Sequence, residues 1–156
     1  MKIKLLVIGK TSDTFLASLI LNYVKRIKRY INFEIIELNN SKLKKANFLE
    51  IQKKEGIKIL EKISKEDQVF ILDEKGKGFN SIEFSKFIEN KTANSSKNII
   101  FIIGGAYGFS EKIYSRSNTT ISLSKMTFSH QIIRLFAVEQ LYRAFTIINN
   151  HPYHNQ

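Results

Sequence analysis

SLSKMTFSHQ, residues 122–131, fits no single element of secondary structure. It opens like the end of a strand, turns polar, sets Met126 and Phe128 among hydroxyls and a lysine, and runs into a long apolar segment. Connections between core elements are normally short and built from turn residues. Two readings account for this one. Either Met126 and Phe128 belong to the core and Thr127 or Ser129 caps the next helix, or the stretch grips a flat polar ligand. In the second case backbone groups hold the ligand's edge, Met126 and Phe128 lie against its faces, and hydroxyls meet a ribose or an amino acid moiety.

Outward from this stretch the chain alternates strand and helix. Upstream, TTISLS reads as a fifth strand, NIIFIIGG as a fourth, DQVFILD as a third, NFEIIEL as a second and KIKLLVIG as the first. Several are apolar on both faces, as strands inside a parallel sheet are. Between them TSDTFLASLILNYVKRIKRY reads as a helix capped by Ser12 or Asp13, with Phe15, Leu19, Tyr23 (or Val24) and Ile27 on its buried stripe. FLEIQKKEGIKILEKIS is a second helix with Ile51, Ile59 and Ile63 inward and Gly56 as a weak point. EKGKGFN is a turn, SIEFSKFIEN a short helix capped by Ser81, SEKIYSR another, and NNSKLKKAN a polar, basic, mobile loop. The last helix runs from about Phe128 to Asn150. This order predicts an α/β fold with a mostly parallel sheet, helices on both faces, and one domain over residues 1–156. The last helix is apolar almost all round. It is either deeply buried in one chain or covered by a second copy in a two-fold dimer.

Composition narrows the partners. The chain of 156 residues carries a net charge of +11. Such a field draws polyanions, so RNA or DNA is the first partner to consider, although Lys and Asn richness alone raises the same charge. There is no cysteine, which removes disulfides and thiolate zinc sites and fits a cytoplasmic protein. No apolar run reaches the ~20 residues of a membrane span. His151 and His154 stand three apart, but Pro152 interrupts any helix and no acidic cluster adjoins, so no metal is expected.

Ligands of doubly wound sheets bind beyond the C-terminal ends of strands. LDEKGKGF, IIGGAYGF and SLSKMTF leave such ends. GGAYGF is neither a dinucleotide nor a Walker pattern, and Gly104 and Gly105 suit either a tight turn or a close ligand.

IIGGAYGF, SLSKMTFSHQIIRLFAVEQLYRAFTI and the terminal HPYH together resemble the small SPOUT methyltransferases of the RlmH type. The likeness spans nearly the whole chain and is most specific in its C-terminal third. It departs at Ala106 and Ser129, where such proteins usually have proline, and at Asn155, where a basic residue is usual. The resemblance implies a trefoil knot at the C-terminal side, a homodimer, and S-adenosyl-L-methionine held in the knot. It puts cofactor contacts at Leu72, Gly104, Leu123, Ser124, Lys125, Met126, Thr127 and Phe128. It implies methylation of N3 of a pseudouridine in 23S ribosomal RNA of the large subunit, on assembled ribosomes.

Within that implied reaction, His154 is the candidate base, Arg143 or Arg134 the cation beside the uracil carbonyls, and Tyr153 a stacking partner for the base. An ion pair of Arg143 with Glu139 is the structural alternative. Two other readings remain open: a knotted methyltransferase acting on another RNA such as tRNA, and a non-catalytic RNA-binding module.

Overall fold

Successive side chains of a strand point to opposite faces, and here both faces of one sheet are apolar. A computed structural model of the chain describes residues 1–39 and 47–155. The strands are β1 (Ile3–Ile8), β2 (Phe33–Leu38), β3 (Gln68–Gly78), β4 (Ile99–Ile103) and β5 (Thr119–Ser122). They pair in parallel throughout, in the order β2-β1-β4-β3-β5. The helices are α1 (Thr14–Ile27), α2 (Phe48–Leu60), α3 (Ser81–Ala93), α4 (Glu111–Arg116) and α5 (Ile132–Ile148).

Ile3, Leu5, Val7, Phe70, Phe101 and Ile121 meet α1, α3 and α5 on one face. Leu6, Ile8, Val69, Ile71, Ile100 and Ile102 meet α2 and α4 on the other. Both faces are covered, which is why the strands carry unbroken apolar runs.

The helix starts follow local chemistry. The Asp13 carboxylate accepts from Leu16 N at 2.8 Å, so Asp13 rather than Ser12 is the cap. Asn80 and Glu83 form a reciprocal capping box at α3. The expectation of Ser81 as that cap is corrected: Ser81 is the first helical residue, and its Oγ donates to Gln140 Oε1 on α5 at 2.9 Å.

Three further expectations change. On α1 the buried residues are Ile20, Val24 and Ile27, while Phe15 is 85% exposed and Leu19 is exposed. Val24 and Ile27, both expected on the buried stripe, do face the sheet; only its first half fails, where Ile20 rather than Phe15 or Leu19 turns inward. α5 begins at Ile132, four residues later than expected. Ser129 Oγ accepts from Ile132 N at 3.1 Å, a helix-start hydrogen bond.

The third change is at EKGKG, expected as a turn, which continues β3. Leu72 and Lys77 both pair with Ile121, so residues 73–76 bulge out of the sheet between them. A Cβ on Gly76 would lie 2.6 Å from the Thr120 carbonyl carbon, which explains its glycine. The basic stretch at 40–46, expected as a mobile loop, lies outside the described residues, as does Gln156.

α5 packs between α1 and α3, so much of its apolar circumference is satisfied within one chain. Phe128 and Phe136 remain exposed, their rings 5.0 Å apart.

Candidate active site

The C-terminal ends of β3, β4 and β5 leave a cavity of ≈ 590 Å³. Its walls come from three segments: the β3 bulge with Asp73, Glu74 and Lys75, the loop 104–109 after β4, and the connection after β5. Leu72, Gly104, Leu123, Ser124, Met126 and Phe128 line it, whereas Lys125 and Thr127 do not and are exposed. Three segments distant in sequence therefore meet where the sequence reading put them. The volume falls in the range that holds small-molecule ligands, about 300–1,000 Å³.

The connection 123–131 is shaped by its own hydroxyls. Ser122 Oγ donates to Ser124 O at 2.7 Å, and Ser124 Oγ accepts from Met126 N at 3.0 Å. Met126 is left 72% exposed at the rim. At the far end Gln131 ties down the start of α1. Its Oε1 accepts from Ser12 N at 3.0 Å and its Nε2 donates to Lys10 O at 3.1 Å.

The loop after β4 rests on a face of α2 that sequence reasoning missed. Gln52 Nε2 donates to Tyr107 O. Glu55 lies buried behind Gly105, where a Cβ would fall 2.7 Å from Oε2 and 2.8 Å from Oε1. Burial pushes the Glu55 carboxyl above the ordinary carboxylate value, against the opposing pull of Lys58. Its Oε2 finds no hydrogen-bond partner among the described residues. Gly56 sits against Ser110, where a Cβ would lie 2.7 Å from Oγ, and this contact is why a glycine is tolerated inside α2. The legible signal was an acid beside a glycine in mid-helix, which marks close packing. Across the cavity Tyr114 donates to Asp73 Oδ2 at 2.5 Å. Burial, then this bond, pushes its phenol up to about 12.

Arg143, Tyr153 and His154 form a second cluster, around Glu139. Arg143 donates to Glu139 Oε1 through Nη2 at 2.5 Å and Nε at 3.1 Å. Tyr153 OH donates to the same oxygen at 3.0 Å and lies 3.2 Å from Tyr23 OH. The Arg143–Glu139 ion pair expected as an alternative is present, and it coexists with the cluster. The Glu139 hydrogen bond holds the Arg143 guanidinium above its ordinary value. Burial, then the bonds to Tyr23 and Glu139, raises the Tyr153 phenol.

Arg143 Nη1 lies 3.0 Å from His154 Nδ1. A guanidinium only donates, so Nδ1 accepts and the ring proton sits on Nε2. That Nε2 is buried without a partner among the described residues. The tail reaches this position because Asn150 adopts φ 54°, a left-handed turn that reverses the chain after α5.

Arg134 does not join this cluster. Its guanidinium is buried and donates to Ile8 O, Gly9 O, His130 O and Thr11 Oγ1. It fastens α5 to the end of β1. Ile133 faces the cavity, and Arg143 lies ten residues further along α5, about 15 Å along the axis. Among the described residues no group of three His, Cys, Asp or Glu side chains is placed to hold a metal ion. No described helix is long and apolar enough to cross a membrane.

Over residues 1–154 the chain matches the family described as "Predicted SPOUT methyltransferase". The protein named Ribosomal RNA large subunit methyltransferase H from Phocaeicola vulgatus is 50% identical over 157 aligned residues, covering all of both chains. Its namesakes from Christiangramia forsetii and Flavobacterium johnsoniae are 49% and 48% identical with the same coverage. A solved structure, a probable methylase family protein from Haemophilus influenzae Rd KW20, matches with a TM-score of 0.51 at 11% identity. It covers 99% of this chain and 70% of that one, a likeness of fold.

Proposed function

From the premise that this chain belongs to the SPOUT methyltransferase family, we propose that it methylates N3 of a pseudouridine in 23S ribosomal RNA, using S-adenosyl-L-methionine. The observation that carries the reading is the cavity where Leu72, Gly104, Leu123, Ser124, Met126 and Phe128 converge. It lies in a chain alike from end to end to proteins named for ribosomal RNA methylation. The trefoil knot follows from family membership and involves the connection 123–131. On this reading the chain acts in the cytoplasm as one domain.

The donor set suits the cofactor. Backbone groups of Gly104, Leu123, Ser124 and Met126 offer edges for an adenine and a ribose. Asp73 and Glu74 at the rim suit a ligand carrying a sulfonium and an ammonium. S-adenosyl-L-methionine supplies a methyl group already activated by the sulfonium. The chain's own task is then alignment, exclusion of water, and charge management at the acceptor. His154 Nε2, buried in this chain, reaches a uracil carbonyl beside N3 once the tail shifts onto the substrate, and Arg143 reinforces its N–H through Nδ1. Both stabilise the anion left when N3 passes its proton to solvent water. Acting as the base requires the His154 ring to release Arg143. Tyr153 stacks on the target base or its neighbour.

The second cluster sits about 15 Å along α5 from its own cavity, too far to serve it. We therefore read the enzyme as a homodimer in which one copy's tail completes the other's pocket. Exposed Phe128, Phe136 and Met126 supply apolar surface for that closure.

The direct test is methyl incorporation from labelled S-adenosyl-L-methionine into bacterial ribosomes, free large-subunit RNA and tRNA, with pseudouridine or uridine at the target. Labelling of pseudouridine N3 in ribosomes is the expected result. Labelling confined to tRNA favours a relative acting on other RNA. Failure to bind the cofactor by calorimetry leaves the RNA-binding module.

A further inference from the structure

The last turn of α1 and the residues after it read KRIKR, positions 25–29. Ile27 is fully buried, and the four cations around it project outward, Arg26 half-buried and the others exposed. None of them forms an ion pair among the described residues, where the ion pairs are Lys4–Glu34, Lys97–Glu66 and Arg143–Glu139. A helix C-terminus favours cations near its last carbonyls, which accounts for having Lys25 and Arg26 in the last turn. It does not account for the direction of the Arg26 side chain. The Arg26 guanidinium carbon lies 5.6 Å from the ring centroids of both Tyr23 and Tyr142. Two aromatic faces thus fix its direction, and its five N–H groups have no acceptor among the described residues.

The position ties this group to the second cluster. Tyr142 packs edge-on against Tyr153 at 4.8 Å, and Tyr23 hydroxyl meets Tyr153 hydroxyl. Tyr153 in turn bonds Glu139, which holds Arg143. An oriented, unpaired guanidinium beside the base-binding cluster, flanked by three more cations, is suited to phosphate. A planar fork matches phosphate oxygens in a bidentate fashion, whereas exposed lysines contribute charge alone.

We propose that Arg26 is a phosphate clamp for the RNA strand next to the target nucleotide, with Lys25, Lys28 and Arg29 extending the contact along the backbone. The proposal rests on the ribosomal RNA methylation argued above and names where that RNA lies on the protein. These contacts position the strand without reading its sequence.

The experiment compares Arg26→Ala, Arg26→Lys and the fully surface-located pair Lys28→Ala/Arg29→Ala with wild type. The readouts are methyl incorporation into bacterial ribosomes, the salt dependence of binding, and calorimetric affinity for S-adenosyl-L-methionine. Arg26→Ala is expected to raise KM for ribosomes about tenfold or more with kcat nearly unchanged, and Arg26→Lys to recover only part of that loss. The surface pair is expected to make the slope of log affinity against log salt shallower by about 2. Cofactor affinity stays at wild-type level in all three. Unchanged KM and unchanged slope, with wild type active, overturn the clamp. If wild type methylates no RNA, the function reading fails. The clamp then stands or falls on whether these variants alter salt-dependent binding to large-subunit RNA.

Discussion

Gly105 and Glu55 decide the shape of one cavity wall through a single contact. A methyl group on Gly105 would press on both carboxylate oxygens of Glu55, at 2.7 and 2.8 Å. Gly105→Ala is expected to displace the loop, at a cost of about 1–3 kcal/mol in stability, and to weaken S-adenosyl-L-methionine binding in calorimetry. Adding Glu55→Ala should restore much of the affinity by making room. Glu55 also carries a pH signature. Its carboxyl in the folded protein is held above the ordinary value of 4.5. As pH rises past that value the unfolded chain gives up its proton first, so stability falls with pH until the folded carboxyl ionises too. Urea midpoints measured from pH 4 upward should show this decline in wild type, and Glu55→Gln should flatten it. Beyond the mid-helix Glu55–Gly56 pair, which marks close packing, nothing in the sequence singled out Glu55 as a site residue, because its partner is a glycine fifty positions away that has no side chain to pair with.

At the scale of elements, two features depend on single residues. Arg134 holds α5 to the end of β1 by hydrogen bonds to the Ile8 and Gly9 carbonyls and the Thr11 hydroxyl, and also donates to His130 O at its own helix start. Arg134→Met keeps the bulk but strands those carbonyls, and should lower unfolding free energy by about 3 kcal/mol in urea titration. The sequence offered Arg134 as a catalytic candidate because a cation next to a pocket has the same residue type whether it caps a strand or meets a substrate. The β3 bulge gives a sharper contrast. A Cβ at Gly76 meets the backbone of Thr120 and Ile121, whereas at Gly78 it meets nothing within 4 Å. Gly76→Ala should lower Tm and impair cofactor binding, and Gly78→Ala should leave the cofactor affinity near wild type. EKGKG has no strand propensity of its own; pairing with β5 holds it there, which is why it read as a turn.

For the whole molecule, the distance between cavity and tail cluster makes a quantitative demand. If one copy's tail serves the other's cavity, a Gly104→Val protein and a His154→Ala protein are each inactive alone. Mixed equally and allowed to exchange subunits, they should regain about a quarter of wild-type activity, because half the dimers are mixed and each holds one intact site. A site built within one chain would regain none. Gly104→Val suits this test because even a Cβ there lies 3.2 Å from the Phe109 ring. Methyl incorporation and sedimentation on the same mixtures read both activity and exchange.

Strand and helix order, the parallel sheet and the strand ends that form the cavity were all legible in the chain, because two-faced apolar runs such as IIFII can be buried in few other ways. Arg143, Tyr153 and His154 were picked out by family resemblance, not by spacing; the structure brings them together around Glu139 because the tail folds back at Asn150. Which residues in the first half of α1 face inward, where β3 stops, and the burial of Arg134 were fixed by contacts between segments far apart. Helical periodicity specifies a face but not its neighbour. The neighbour is what makes Arg134 a buried strut at the end of β1.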